Sequence, residues 1–283
     1  MFKRCAAVIL FALTPFTFVS AACLSDLEAA QLASRYVNKE LISPDASAMT
    51  PAEALCSQAK FLRYVQQAFG PIAGYKAGLT NPTTQKRFGA NAPVAGVLFK
   101  HLLRNSPATL PANFGARPLF EADLLVEIKD ARIMWARSQA ELLPHLKSVI
   151  PFIELPDLAF ADMKQANAQS ITVVNVGARY GVLGQPIPYS ADLVPALAQM
   201  QVSLKDETGK QLDSAPGTAI LDHPLNAVLW LVQEMQRRGI TLKAGDLLSL
   251  GSFSKLLPSQ AGKTITAVYE GLPGNPQVVV TFE

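Results

Sequence analysis

Apolar residues recur every third or fourth position over residues 27–39 and 51–69, which predicts two amphipathic helices near the start of the chain. Thr50 and Glu53 have the spacing of a capping box in front of Ala54, Leu55, Phe61, Leu62 and Val65, and Pro71 and Gly74 are expected to close the second helix. Beyond them the texture changes to short apolar runs punctuated by Gly and Pro, at 94–99, 124–128, 149–155, 171–176, 247–250, 265–269 and 278–282. Each predicts a strand. Two more helices are expected between the strands: 139–147, which Pro144 weakens, and 224–238, which Gly239 stops directly after Arg237 and Arg238. Gly271, Pro273, Gly274 and Pro276 make a hairpin-like connection between the last two strands. Strands this frequent, with so few helices between them, exclude a regular doubly wound α/β sheet. The expected fold is α+β, a mixed rolled β-sheet over 73–283 with an N-terminal helical layer over 23–72. No repeat, low-complexity tract or linker divides 23–283 into separate domains.

The first 22 residues stand apart. Lys3 and Arg4 precede a nearly continuous apolar stretch at 5–19, and Ser20-Ala21-Ala22 follows it before Cys23, the layout of a secretory signal peptide. Pro15, inside a run barely long enough to span a bilayer, argues against an anchor helix. A lipoprotein acylated at Cys23 is the weaker alternative, because Ser20 stands where a Leu-like side chain belongs. No second apolar run approaches spanning length, so the mature chain is expected to be soluble, without a stable membrane span, and periplasmic or secreted. With Cys5 removed, Cys23 and Cys56 remain. An oxidising compartment favours a disulfide between them, two unrelated buried thiols being the alternative.

Apolar residues make up 49% of the chain and charged ones 17%, which excludes a disordered polyelectrolyte. The formal net charge is +3, of which Lys3 and Arg4 contribute two. No dense basic face is left to neutralise phosphates, so nucleic acid is not an expected partner.

The candidate chemistry begins at Phe120-Glu121-Ala122-Asp123-Leu124. On a strand Glu121 and Asp123 point to the same side, and two carboxylates that close repel unless a cation or proton stands between them. They make either a hard-metal half-site or a solvated strand face. Glu154 ends a run apolar enough to be buried, where an acid needs a partner; a surface position at a strand end is its alternative. Three carboxylates without nearby Cys or His suit Mg2+ or Mn2+ better than zinc or copper. In Gly74-Tyr-Lys-Ala-Gly-Leu-Thr80 glycines flank a single lysine, Lys76, which either pairs with a carboxylate or enolate or is a solvated tip. His101, His145 and His223 are widely separated and read as structural or solvated, and no Gly-x-Ser-x-Gly elbow occurs.

Taken in order, these blocks resemble a family: the 2-oxopent-4-enoate (2-hydroxypentadienoate) hydratases and 4-oxalocrotonate decarboxylases, within the fumarylacetoacetate-hydrolase-like superfamily. Gly74-Tyr-Lys-Ala-Gly-Leu-Thr80 is similar to the family's GYK-x-GLT, and Gly96-Val-Leu-Phe99 follows at the expected interval. Glu121-Ala-Asp123 resembles its E-x-E metal pair and Ile153-Glu-Leu-Pro-Asp157 its third-ligand segment. Asn175 resembles the asparagine before a Gly-containing strand, and the stretch from His223 through Gly245-Asp to Gly251-Ser252 resembles the closing helix, turn and glycine-rich strand.

The resemblance implies a sheet like the C-terminal domain of fumarylacetoacetate hydrolases and a divalent ion, Mg2+ or Mn2+, on Glu121, Asp123 and Glu154. The partner would be a small-molecule 2-keto acid, bound through its carboxylate and 2-oxo oxygen. Lys76 and Ser252 would be catalytic, and Gly78, Leu79, Asn175 and Gly251 would contact the substrate. The expected activity is a metal-dependent hydratase of aromatic catabolism working through a stabilised dienolate. The alternatives are a decarboxylase, a periplasmic 2-keto-acid-binding protein without catalysis, and an acylpyruvate hydrolase. Three positions depart from the family. Val94 replaces an acid and cannot move a proton, Asp123 is one methylene shorter than Glu, and Lys255 stands where small or apolar residues are usual. Export departs as well, and assembly into a homo-oligomer is left open.

Overall fold

The computed structural model describes residues 23–44 and 46–283, so the expected leader at 1–22 lies outside the described residues. Helices Asp26–Val37 and Pro51–Phe69 form the N-terminal layer, and both open with a complete capping box. Ser25 accepts from the Glu28 amide while Glu28 accepts from Ser25, and Thr50 and Glu53 do the same, so the amides left open at each helix start are satisfied locally. A Cys23–Cys56 disulfide joins the two. Tyr36, Phe61, Phe69 and Phe99 stack edge to face beneath them, tying the helices to the sheet.

The second helix ends at Phe69 with Gly70 as its cap. Gly74 does not close it but already lies in strand Ile72–Gly78, so the expected boundary at residue 72 falls inside a strand. In the nine-stranded mixed sheet, Leu119–Ile128 pairs antiparallel with Leu146–Leu155 on one side and with Leu247–Ser249 on the other. Leu247–Ser249 runs parallel to Ile72–Gly78, which pairs antiparallel with Val94–Phe99. A second, five-stranded sheet contains Thr264–Glu270 and Gln277–Phe282 and contacts the first through Phe120, Phe282 and Tyr269. The architecture is α+β with curled mixed sheets, as expected. Among the described residues no helix is long and apolar enough to cross a membrane.

Two further expectations are corrected. Residues 171–176 are not a strand: helix Ala168–Val173 starts at Asn167, whose side chain accepts from the Ser170 amide, and a left-handed turn follows it. Residues 139–147 are helical only over Gln139–Leu142, because Pro144 forces a 3-10 turn, Leu143–His145, and the strand Leu146–Leu155 begins directly after it.

Alternation along Leu119–Ile128 divides its side chains. Phe120, Ala122, Leu124, Val126 and Ile128 enter the main core, whereas Leu125 joins a separate cluster with Leu98, Ile150 and Phe152 on the other face. Glu121 and Asp123 share the parity of Leu125, and that face carries the site.

Candidate active site

Residues directly opposite in register share a face, so pairing alone assembles the cluster. Glu121 stands opposite Glu154, Leu125 opposite Ser249, and Ser249 opposite Lys76. Lys76, Ser249, Asp123, Glu121 and Glu154 therefore project from four neighbouring strands to one side. Lys76 is 3% exposed, Glu154 1% and Asp123 fully buried. The Lys76 ammonium forms an ion pair with Glu154 and donates to the Val176 carbonyl at 3.1 Å. Apart from the Lys76 ammonium and the facing Glu121 carboxyl, no protein group serves the Glu154 oxygens. Burial, and next the charge of Glu154, push the Glu121 carboxyl well above the ordinary carboxylate range.

Asp123 is held differently. Its Oδ1 accepts from the amides of Leu124, Leu250 at 3.2 Å and Gly251 at 3.0 Å, and its Oδ2 accepts from the Ser249 hydroxyl at 2.6 Å. Burial outweighs these donors and, with the charge of Glu154, pushes its pKa up to about 8. Gly251 makes the arrangement possible. Its φ of +109° turns its amide toward Asp123, and a Cβ there would come 2.2 Å from the Thr80 hydroxyl.

Above the cluster lies a cavity of about 90 Å3. Lys76, Gly78, Leu79, Glu121, Gly251 and Ser252 border it, six of the positions singled out in the sequence. Its remaining wall is largely apolar, from Phe88, Leu158, Ile171, Val176 and Leu256.

No family model matches the chain. Over 201 residues it is 28% identical to a 2-keto-4-pentenoate hydratase from Paraburkholderia phymatum, a match covering 71% of this chain and 75% of that one. Over 246 residues it is 24% identical to a 4-oxalocrotonate decarboxylase from Pseudomonas putida, covering 87% and 91%. The chain is similar in sequence to these hydratases and decarboxylases. In fold it is similar to the 4-oxalocrotonate decarboxylase of Pseudomonas putida G7 complexed with magnesium and adipate, with a TM-score of 0.80 and 23% identity over 93% of this chain and 100% of that one. A fumarylpyruvate hydrolase from Pseudomonas aeruginosa, in complex with Mn2+ and pyruvate, is more distant in fold, with a TM-score of 0.56 and 15% identity over 74% and 89%.

Three expected roles change. Asn175 is not on the cavity: its Oδ1 accepts from the Val97 amide at 2.7 Å and its Nδ2 donates to the Val97 carbonyl at 3.0 Å, which occupies the side chain with strand Val94–Phe99. Ser252 borders the cavity, but its hydroxyl lies 2.7 Å from the Ser254 carbonyl and accepts from the Ser254 amide, so it braces a turn and is not free to act as an acid or base. Glu121, Asp123 and Glu154 reach one face without closing a cage. Among the described residues no three His, Cys, Asp or Glu side chains are grouped so as to hold a metal ion in this arrangement, and the Asp123 oxygens are taken up by Ser249 and the Leu250 and Gly251 amides.

Sequence reasoning missed Ser249, Thr80 and Val176. Ser249 had a signal, being two residues before Gly251 on a strand next to Asp123. Val176 had none, because its place depends on a turn that a β-branched residue disfavours. His223 caps helix Pro224–Arg237 by accepting from the Leu225 amide, the structural role expected of it.

Proposed function

We propose that the protein is a divalent-metal-dependent lyase of small unsaturated 2-oxo acids, adding water to a 2-hydroxypentadienoate-type substrate. The observation that carries this reading is the buried Lys76–Glu154 pair opposite Glu121, beneath a cavity with largely apolar walls. The donor set fits a hard divalent cation: carboxylate oxygens only, more negative than the one ammonium offsets, with no protein donor but Lys76 on the buried Glu154 carboxylate. Glu121 and Glu154 would hold the ion, with Asp123, fixed by Ser249 and the Leu250 and Gly251 amides, as a neighbouring acid on the same face. When bound, the ion supplies a Lewis acid for the negative charge that a 2-oxo acid develops as it loses a proton.

The chain's own groups do the rest. Lys76, steadied by the Val176 carbonyl, binds the oxygen-bearing end of the substrate. Leu79, Phe88, Leu158, Ile171 and Leu256 enclose the hydrocarbon part and exclude bulk water. Lys76 is the one cationic side chain on this lining, which favours a monocarboxylate over a dicarboxylate such as 4-oxalocrotonate. Decarboxylation is accordingly the second reading. Val94, half-buried and off the cavity, carries no proton to donate at its position, which keeps a binding protein without turnover as the rival outcome.

The test is to supply the purified chain and Mg2+ with 2-hydroxypenta-2,4-dienoate and, separately, 4-oxalocrotonate. Loss of the dienoate chromophore with a water adduct as product supports the hydratase, and carbon dioxide release supports the decarboxylase. Tight oxalate binding without either reaction supports the binder.

Export through a leader at 1–22 belongs to the same proposal. The Cys23–Cys56 disulfide supports it, since such bonds persist in oxidising compartments, and a disulfide at Cys23 leaves no sulfur for an acyl thioether. An intact mass beginning at Cys23, with no free thiol, is the expected result for material isolated from the periplasm.

A further inference from the structure

Asn175, Val176 and Gly177 follow one another with φ of +58°, +55° and +66°. This is a full turn of left-handed backbone, which presses each Cβ toward the following carbonyl. Glycine escapes that contact and asparagine tolerates it, whereas a β-branched side chain bears it in full. Among the described residues Val176 is the one β-branched side chain held there. Leu79, at +57°, is a second bulky left-handed residue, and both border the cavity above Lys76.

Backbone outliers of this kind persist only where their surroundings over-determine them. Here the surroundings are specific. Both ends of the Asn175 amide are fixed to Val97, and the Gly177 carbonyl accepts from the Asp157 amide at 2.8 Å. Two contacts depend on the result. The Val176 carbonyl accepts from the Lys76 ammonium, and the Val176 side chain stands so close to Gly78 that a Cβ on residue 78 would come 2.4 Å from Val176 Cγ1. Rotating residue 176 into an extended or right-handed conformation would swing that carbonyl away from Lys76.

We propose that the turn Asn175-Val176-Gly177 is a strained positioning element and Val176 its positioning residue: the Val176 carbonyl aims the Lys76 ammonium into the cavity, and its isopropyl group sets the cavity's width against Gly78. The inference rests on Lys76 serving the 2-oxo-acid site proposed above. It separates stability from binding, because a residue at ease in the left-handed turn strengthens the fold while losing the isopropyl wall loosens the site.

The experiment combines thermal melting with calorimetric binding of oxalate in the presence of Mg2+. V176N, which suits left-handed backbone and so leaves the carbonyl on Lys76, should melt about 2–4 °C above the wild type and bind oxalate on the order of tenfold more weakly, because the isopropyl wall of the cavity is lost. A residue of purely structural importance would not weaken binding while stabilising the fold. G78A should lower both the melting temperature and the affinity, and adding V176A to it should bring both back to the level of V176A alone. The proposal is overturned if V176N melts at or below the wild-type temperature or binds within twofold of it, if G78A is silent, or if V176A does not relieve it. Should the wild type bind no oxalate and turn over no 2-oxo acid, the proposed function falls. The melting temperatures then decide the strained contact by themselves: V176N above the wild type with G78A relieved by V176A keeps it, and any other pattern removes it.

Discussion

Glu121 and Glu154 stand directly opposite each other on adjacent antiparallel strands, and the Lys76 ammonium pairs with Glu154. With Asp123 on the same face, this buried cluster holds more acid than its one lysine can neutralise. A protonated acid or a bound cation must make up the difference.

The first consequence is an inverted pH dependence of stability. Burial and the Glu154 charge raise Glu121 well above its ordinary value and Asp123 to about 8. Between about pH 4, where such groups titrate in the unfolded chain, and pH 8, the folded protein therefore binds more protons than the unfolded one. Its stability must fall as pH rises through that window. Chelator-treated protein should melt higher at pH 5.5 than at pH 8.5, and Mg2+ should restore most of the loss at pH 8.5. A metal-free melting temperature that climbs steadily to pH 8.5 would contradict the cluster.

The two opposed glutamates should respond unequally to neutralisation. E121Q imitates a protonated acid and should leave metal-free stability within about 1 kcal/mol of the wild type. E154Q removes the counter-charge of a buried ammonium and should cost about 3–5 kcal/mol. Urea unfolding at pH 7.5 measures both, and equal costs would show that Lys76 does not depend on Glu154.

Tyr269 reaches from the second sheet into the site's framework. Its hydroxyl lies 2.5 Å from the Asp123 carbonyl and 2.6 Å from the Phe152 carbonyl, and accepts from the Phe152 amide at 3.0 Å. Y269F leaves these buried groups short of a partner and should cost about 1–3 kcal/mol. A fully stable Y269F would show that the two strands hold their spacing unaided.

The Cys23–Cys56 bond closes a sequence separation of 33 residues, for which loop-closure entropy gives about 3–4 kcal/mol of stability. C23S/C56S, and the wild type under reducing conditions, should lose comparable amounts in denaturant titrations. A variant as stable as the wild type would indicate that helix packing alone fixes the N-terminal layer.

The sequence made the local parts of this structure legible. The Thr50–Glu53 capping box, the run ending at Glu154 and the shared parity of Glu121 and Asp123 all appear as expected, because each is set by neighbours within a few residues. Ile171-Thr-Val-Val174 misled for a physical reason: β-branched residues favour strands, but the Asn167–Ser170 cap and the surrounding core hold the first three of them in a helix. Asp123 shows the limit most clearly. Its spacing marked it as a metal ligand, yet donors at Ser249, Leu250 and Gly251, more than 120 residues away, decide where its oxygens point. Nothing near Asp123 in the chain announces them.

The central claim is that Glu121 and Glu154 hold one divalent ion beside Lys76. Calorimetric titration of Mn2+ into chelator-treated protein tests it most directly. The prediction is one ion per chain in the wild type and an affinity reduced at least tenfold in both E121Q and E154Q, in line with the loss of a ligand. Absence of Mn2+ binding by the wild type, or unchanged affinity in E121Q, would contradict it.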